Sequence, residues 1–125
     1  KKKQELERQL LVQGLQYYQQ RQYDAAIKEL KNVLERYPEM KEARTILGNA
    51  YFRNRMLDKA AIEYKRVKAI DPSDVDACEN MGAIYANTGD YEKAISEWEY
   101  ILKIDPNRKD IKDNIKKVSK ILSSK

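Results

Sequence analysis

The sequence predicts an all-α protein of seven helices: three helical hairpins in tandem and one further helix that closes the array. Three observations carry this. Gly14, Tyr17, Ala26 and Pro38 recur as Gly48, Tyr51, Ala60 and Pro72, and again as Gly82, Tyr85, Ala94 and Pro106, so four letters hold a 34-residue period through three copies without slippage. A fixed period of about 20 to 50 residues marks units that stack on their neighbours, and a unit this short has room only for two antiparallel helices and a tight turn. After Pro106, Ile111, Ile115, Val118 and Leu122 are spaced four, three and four, the apolar stripe of one amphipathic helix, with Lys112, Lys116, Lys117 and Lys120 on its remaining surface.

The recurring letters have mechanical roles. Gly and Ala belong where two helix axes approach to about 8 to 10 Å, because a larger side chain there would hold the backbones apart. Each Pro ends a second helix by pushing its predecessor out of the α region. On this basis residues 1–6 are a basic lead, 7–40 the first repeat, 41–74 the second, 75–108 the third and 109–125 the closing helix, all in one domain.

In the first repeat, a helix running to about Gln19 turns Leu10, Gly14 and Tyr17 towards its partner. Gln9, Gln13, Gln16 and Gln20 form a second stripe, whose equivalents are Ala43, Leu47, Ala50 and Asn54 in repeat two and Ala77, Met81, Ile84 and Thr88 in repeat three. The mostly apolar stripes must face a preceding repeat; four glutamines in that register predict that none precedes the first, since a terminal unit needs a polar outer face. The second helix spans about Asp24 to Tyr37, with Asp24 as N-cap and Ala26, Ile27, Leu30, Val33 and Leu34 buried. Repeat two places helices near 40–53 and 58–70, and repeat three near 75–87 and 91–104, capped by Asp74 and Asp90. Leu30, Tyr64 and Trp98 share one register, which assigns Trp98 to the core rather than to ligand stacking.

The third copy, with Met81, Gly82, Tyr85, the run Thr88, Gly89, Asp90, Tyr91, Glu92, Lys93 and Ala94, then Trp98 and Pro106, resembles the tetratricopeptide repeat family over residues 7–108. Copies one and two depart at the inter-helix turn, where Arg21 and Arg55 replace Gly89; a left-handed residue is expected there, so those two turns should be looser. The resemblance implies a right-handed α-α superhelix that binds proteins or peptides without catalysis. The family's best-known mode grips the C-terminal carboxylate of chaperone tails with Lys, Asn and Arg at five positions. Leu11, Leu15, Ile46, Asp76 and Asn80 stand at those positions; Asn80 alone is a polar match and Asp76 has the wrong sign, so a chaperone tail is disfavoured as partner.

Composition narrows the function further. Of 125 residues 36% are charged, and the net charge of +5 resides at the ends: residues 1–8 hold four basic and two acidic groups and residues 109–125 six and two, leaving 15 basic and 16 acidic groups in the repeats. A nucleic-acid footprint needs a basic stripe with stacking aromatics, and the aromatics here serve packing, so nucleic acid is not expected. There is no run of 18 apolar residues and hence no membrane insertion in this segment. The chain opens on Lys1 rather than Met, which points to a piece of something longer, in which a removed signal or anchor would leave no trace. Without one, the cytoplasm is the favoured compartment, with the periplasm as the alternative. Cys78 is single and reads as a packed small side chain. The chain holds no His, no Cys pair, no phosphate loop and no nucleophile elbow, so neither enzyme chemistry, a metal nor a cofactor is expected. With both ends finished, the array should be monomeric.

What remains is a protein or peptide partner on the inner surface formed by the first helices of the repeats. Angular sorting at about 100° per residue selects Arg8, Leu11, Leu15 and Gln19 from repeat one, Glu42, Thr45, Asn49, Phe52 and Arg53 from repeat two, and Asp76, Glu79, Asn80, Ala83 and Asn87 from repeat three. The segment bound would carry an apolar anchor at one end, against Leu11, Leu15, Tyr18 and Phe52, and basic residues at the other, near Asp76 and Glu79. Tyr18 and Phe52 have a competing role as packing between helices. A structural spacer, contacting neighbours through its convex face or basic ends, is the alternative to a groove-binding adaptor.

Overall fold

A computed structural model describes residues 2–124, in which seven α-helices and no strand occur. They are α1 (Lys2–Gln19), α2 (Tyr23–Arg36), α3 (Lys41–Arg53), α4 (Leu57–Ile70), α5 (Val75–Asn87), α6 (Tyr91–Ile104) and α7 (Lys109–Ser123). Helix α1 begins at Lys2, so residues 2–6 of the stretch expected as a lead are helical, and Lys1 lies outside the described residues. The helices form two compact units, one up to Ile70 holding α1–α4 and one from Asp71 holding α5–α7.

In the first unit, consecutive helices pack as antiparallel pairs around Ala26, Leu30, Val33, Ala43, Leu47, Ala50, Tyr51, Ala60, Tyr64 and Val67, all buried. The repeat glycines mark where the helices close. A Cβ on Gly14 would lie 2.8 Å from Leu30 Cδ2, and one on Gly48 2.8 Å from Tyr64 Cε1. The side chain in the Leu30 register thus fills the space that each glycine leaves. The stripe register behaves as expected: Gln9, Gln13, Gln16 and Gln20 are exposed, whereas Ala43, Leu47 and Ala50 are buried. Glu63 is a buried charge on α4, and it is bridged by Arg44 Nη1 at 2.9 Å and Arg66 Nη1 at 3.1 Å. An unpaired carboxylate there would cost several kcal/mol; Arg44 also donates from Nε to the Pro38 carbonyl at 3.0 Å, which fixes its guanidinium in place.

In the second unit the closest approach is tighter. A Cβ on Gly82 would lie 2.3 Å from Trp98 Nε1. Trp98 is buried, which bears out its core assignment, and Cys78 is completely buried. The Tyr100 hydroxyl donates to the Pro72 carbonyl at 2.8 Å, tying the loop before α5 to α6. Helix α7 packs on α6, with Ile111 and Val118 buried and Ile115 and Leu122 half-buried.

Capping differs from expectation at two of three positions. Asp74, in extended backbone at φ −77° and ψ 92°, accepts from the Ala77 N–H as an N-cap should. Asp90 precedes α6 at ψ 64°, short of the extended region, and its side chain makes no capping bond. Asp24 lies inside the first turn of α2, behind Gln22 in the N-cap position, and accepts instead from Asn54 Nδ2 at 3.0 Å. The inter-helix turns explain both: Arg21 and Arg55 at φ 61° and Gly89 at φ 85° are left-handed, and the next N–H returns to the preceding helix, from Gln22 to Tyr17, Met56 to Tyr51 and Asp90 to Tyr85. These bonds measure 2.9, 2.8 and 2.8 Å, so the arginine turns are not looser. They carry conformational strain of roughly 1 to 2 kcal/mol instead of lost bonds.

Candidate functional site

Arg8, Leu11, Leu15 and Gln19 are spaced three, four and four along α1, and Glu42, Asn49 and Arg53 seven and four along α3, so each set lies on one helix face. None of the fourteen residues selected from the sequence is buried. Arg8, Gln19, Glu42 and Arg53 are exposed, while Leu11, Leu15, Asn49 and Phe52 are half-buried. Half-burial of Leu11, Leu15, Tyr18 and Phe52 leaves each with packing on one side and surface on the other.

Three of the predicted residues meet in a cavity of about 420 Å³ lined by Gln4, Glu7, Arg8, Leu11, Met40 and Glu42. Leu11 and Met40 give it apolar lining, and Glu7, Glu42 and Arg8 give it charges of both signs. Sequence reasoning missed Met40, which occupies the same register as Asp74 and Arg108, the residue just before each next helix.

Further along the same two helices lies a polar and aromatic group. Tyr64, 2% exposed, donates its hydroxyl to Asn49 Oδ1 at 2.5 Å. Burial pushes the Tyr64 hydroxyl well above its ordinary pKa, so it stays protonated and keeps donating. Asn49 is thereby oriented with its carbonyl inward, leaving the Nδ2 end for other partners. Arg53 is held above its ordinary pKa first by a hydrogen bond with Tyr18, whose ring stacks at a tilt on Tyr23 with centroids 5.7 Å apart.

On α5 of the second unit, Asp76 and Asn87 are exposed, and Glu79 and Asn80 half-buried. Glu79 is already engaged: Arg108 Nη2 donates to it at 2.8 Å and to Asp110 Oδ2 at 2.8 Å. Arg108 is raised and Asp110 lowered from their ordinary pKa values, in each case chiefly by the hydrogen bond that joins them. The bridge ties the start of α7 to α5, a structural use of Glu79 that its sequence position did not signal. Among the described residues no group of three His, Cys, Asp or Glu could hold a metal.

A tetratricopeptide repeat model matches residues 11–75, and a second tetratricopeptide repeat model residues 75–108. The chain belongs to the tetratricopeptide repeat family. This fold is generally a non-catalytic platform for protein interactions, and no curated protein matches the sequence. Among solved structures, the first tetratricopeptide repeat domain of Spaghetti (RPAP3), bound to the HSP90 peptide SRMEEVD, is 25% identical with a TM-score of 0.82, over 94% of this chain and 93% of that one. The first such domain of human RPAP3 is 26% identical at a TM-score of 0.76, over 92% and 91%. MamA is 26% identical at 0.86, over 94% of this chain and 68% of that one. At the five clamp positions the tetratricopeptide repeats here present half-buried Leu11, Leu15, Ile46 and Asn80 and exposed Asp76, a set without a cation.

Proposed function

We propose that this chain is a non-catalytic interaction module whose α1 and α3 hold a peptide or helical segment of a partner protein. The observation that carries the reading is the cavity lined by Leu11 and Met40 together with Arg8, Glu7 and Glu42, apolar surface for an anchor beside charges of both signs. Asn49 and Arg53 extend that face with an oriented amide and an exposed guanidinium, groups able to bond a peptide backbone without fixing its sequence.

The HSP90 peptide that RPAP3 holds is a ready discriminating ligand. With leucine at two clamp positions and aspartate at another, this chain should bind SRMEEVD at least about tenfold more weakly than a chain carrying cations there. The test of the module itself is a peptide-library selection followed by titration against a Leu11→Asp variant. Selected peptides should lose about tenfold or more in affinity while helical circular dichroism is unchanged. Equal affinity for the variant would remove α1 from the site and favour a structural spacer.

A further inference from the structure

We propose that the outer face of α7 is an adsorption surface for anionic lipid bilayers, with Lys109, Lys112, Lys116, Lys117 and Lys120 against the headgroups. Residues 109–125 hold six lysines and two aspartates, a net +4 in a chain whose total is +5. At about 100° per residue, those five lysines fall within an arc of about 140° opposite buried Ile111 and Val118. All five are exposed, and none pairs with a carboxylate among the described residues. Of the two aspartates on the helix, Asp110 is bonded by Arg108 and falls outside the arc, leaving Asp113 as the single opposing charge within it.

A helix face that meets water needs polar residues, but that requirement is met by either sign. The outer faces of α2 and α6 use both, with Lys28, Lys31 and Glu35 on one and Glu92, Lys93, Glu99 and Lys103 on the other. The face of α7, with five lysines to one aspartate, is more one-sided than either and runs about 16 Å from Lys109 to Lys120. Its chemistry selects the partner. The face carries neither aromatic nor Arg for base stacking or bidentate phosphate recognition. No described cavity is lined by its lysines, so there is no shaped pocket for one acidic side chain. Hydrated ammonium groups spread over a helix suit a diffuse anionic plane. Among the described residues no helix is long and apolar enough to cross a membrane, and the apolar stripe of α7 is docked on α6, so the attachment is peripheral and electrostatic.

The test is co-sedimentation of the full chain with vesicles of phosphatidylcholine alone and with about one third phosphatidylserine, at low salt and above physiological salt. Binding is expected on the anionic vesicles only, released by salt, and weakened about fivefold for each Lys→Gln change at 112, 116, 117 and 120. A Lys2→Gln/Lys3→Gln variant, lowering the net charge outside α7, should bind nearly as well as the parent. Circular dichroism of each variant checks that the helices persist. Failure to bind the anionic vesicles at low salt, or a quadruple variant that binds as tightly as the parent, would overturn the proposal. Tighter binding to a duplex RNA than to the vesicles would overturn it in favour of nucleic acid.

Discussion

The first and third hairpins are cut from one template and differ in what presses on it. Both bring a glycine against the side chain sixteen residues on, but the neighbour is a flexible leucine at Gly14 and a rigid indole at Gly82. Both reverse through a left-handed residue, Arg21 in one and Gly89 in the other. Their stripes diverge most: Gln9, Gln13, Gln16 and Gln20 stand in water, whereas Ala77, Met81 and Ile84 are buried. Four recurring letters therefore specify a backbone, while the side chains between them decide how much stability each hairpin draws from burial.

The largest test of that difference is the glycine contact. Gly82→Ala should cost about 3 kcal/mol in urea unfolding, near the top of the overpacking range. Gly14→Ala should stay within about 1 kcal/mol, because Leu30 can change rotamer and the helix gains from alanine. A Trp98→Leu change in the Gly82→Ala background should recover part of the loss by giving the third hairpin the first one's contact. Equal costs at the two glycines would end the distinction.

Next come the stripes. Met81→Gln should lose about 2 kcal/mol by burying an amide at a position 1% exposed. Gln13→Met, in the same register on α1, should change the unfolding midpoint by less than about 0.5 kcal/mol. The turns give a smaller effect: Arg21→Gly should stabilise by up to about 1 kcal/mol and Gly89→Arg destabilise by about as much, read from thermal melts. The smallest is acid sensitivity near the start of α7. Asp110 has a depressed folded-state pKa, so its bond with Arg108 contributes above the ordinary carboxylate range and is lost as pH falls through the depressed value. Asp110→Asn should flatten stability against pH only at the acidic end, below about pH 4.

The legible part of this protein lay in periodic features. Helix positions after the first turn, the core roles of Trp98 and Cys78, the wet glutamine face and the amphipathic seventh helix follow from spacing, because burial on a helix repeats with its geometry. The site was partly legible for the same reason: angular sorting finds which residues leave the core, so Arg8, Leu11 and Glu42 meet in one cavity. It does not find what crosses between elements. Met40 in the cavity lining, the Tyr64 hydroxyl orienting Asn49, and Arg108 holding Glu79 depend on distances between residues 15 to 30 apart in sequence.

The caps and turns divide along the same line. By itself the sequence determined three hairpins of fixed length, their all-helical class and the polar or apolar character of each face, since these rest on local periodicity and on where glycine and proline stand. Only the tertiary structure decided that Asp24 bonds Asn54 rather than capping α2, that Leu30, Tyr64 and Trp98 fill the glycine notches, and that arginine twice adopts the left-handed turn. Those outcomes are settled where two helices meet: the closing hydrogen bonds and contacts of each hairpin outweigh a single residue's intrinsic preference, and no one segment contains both sides of that balance.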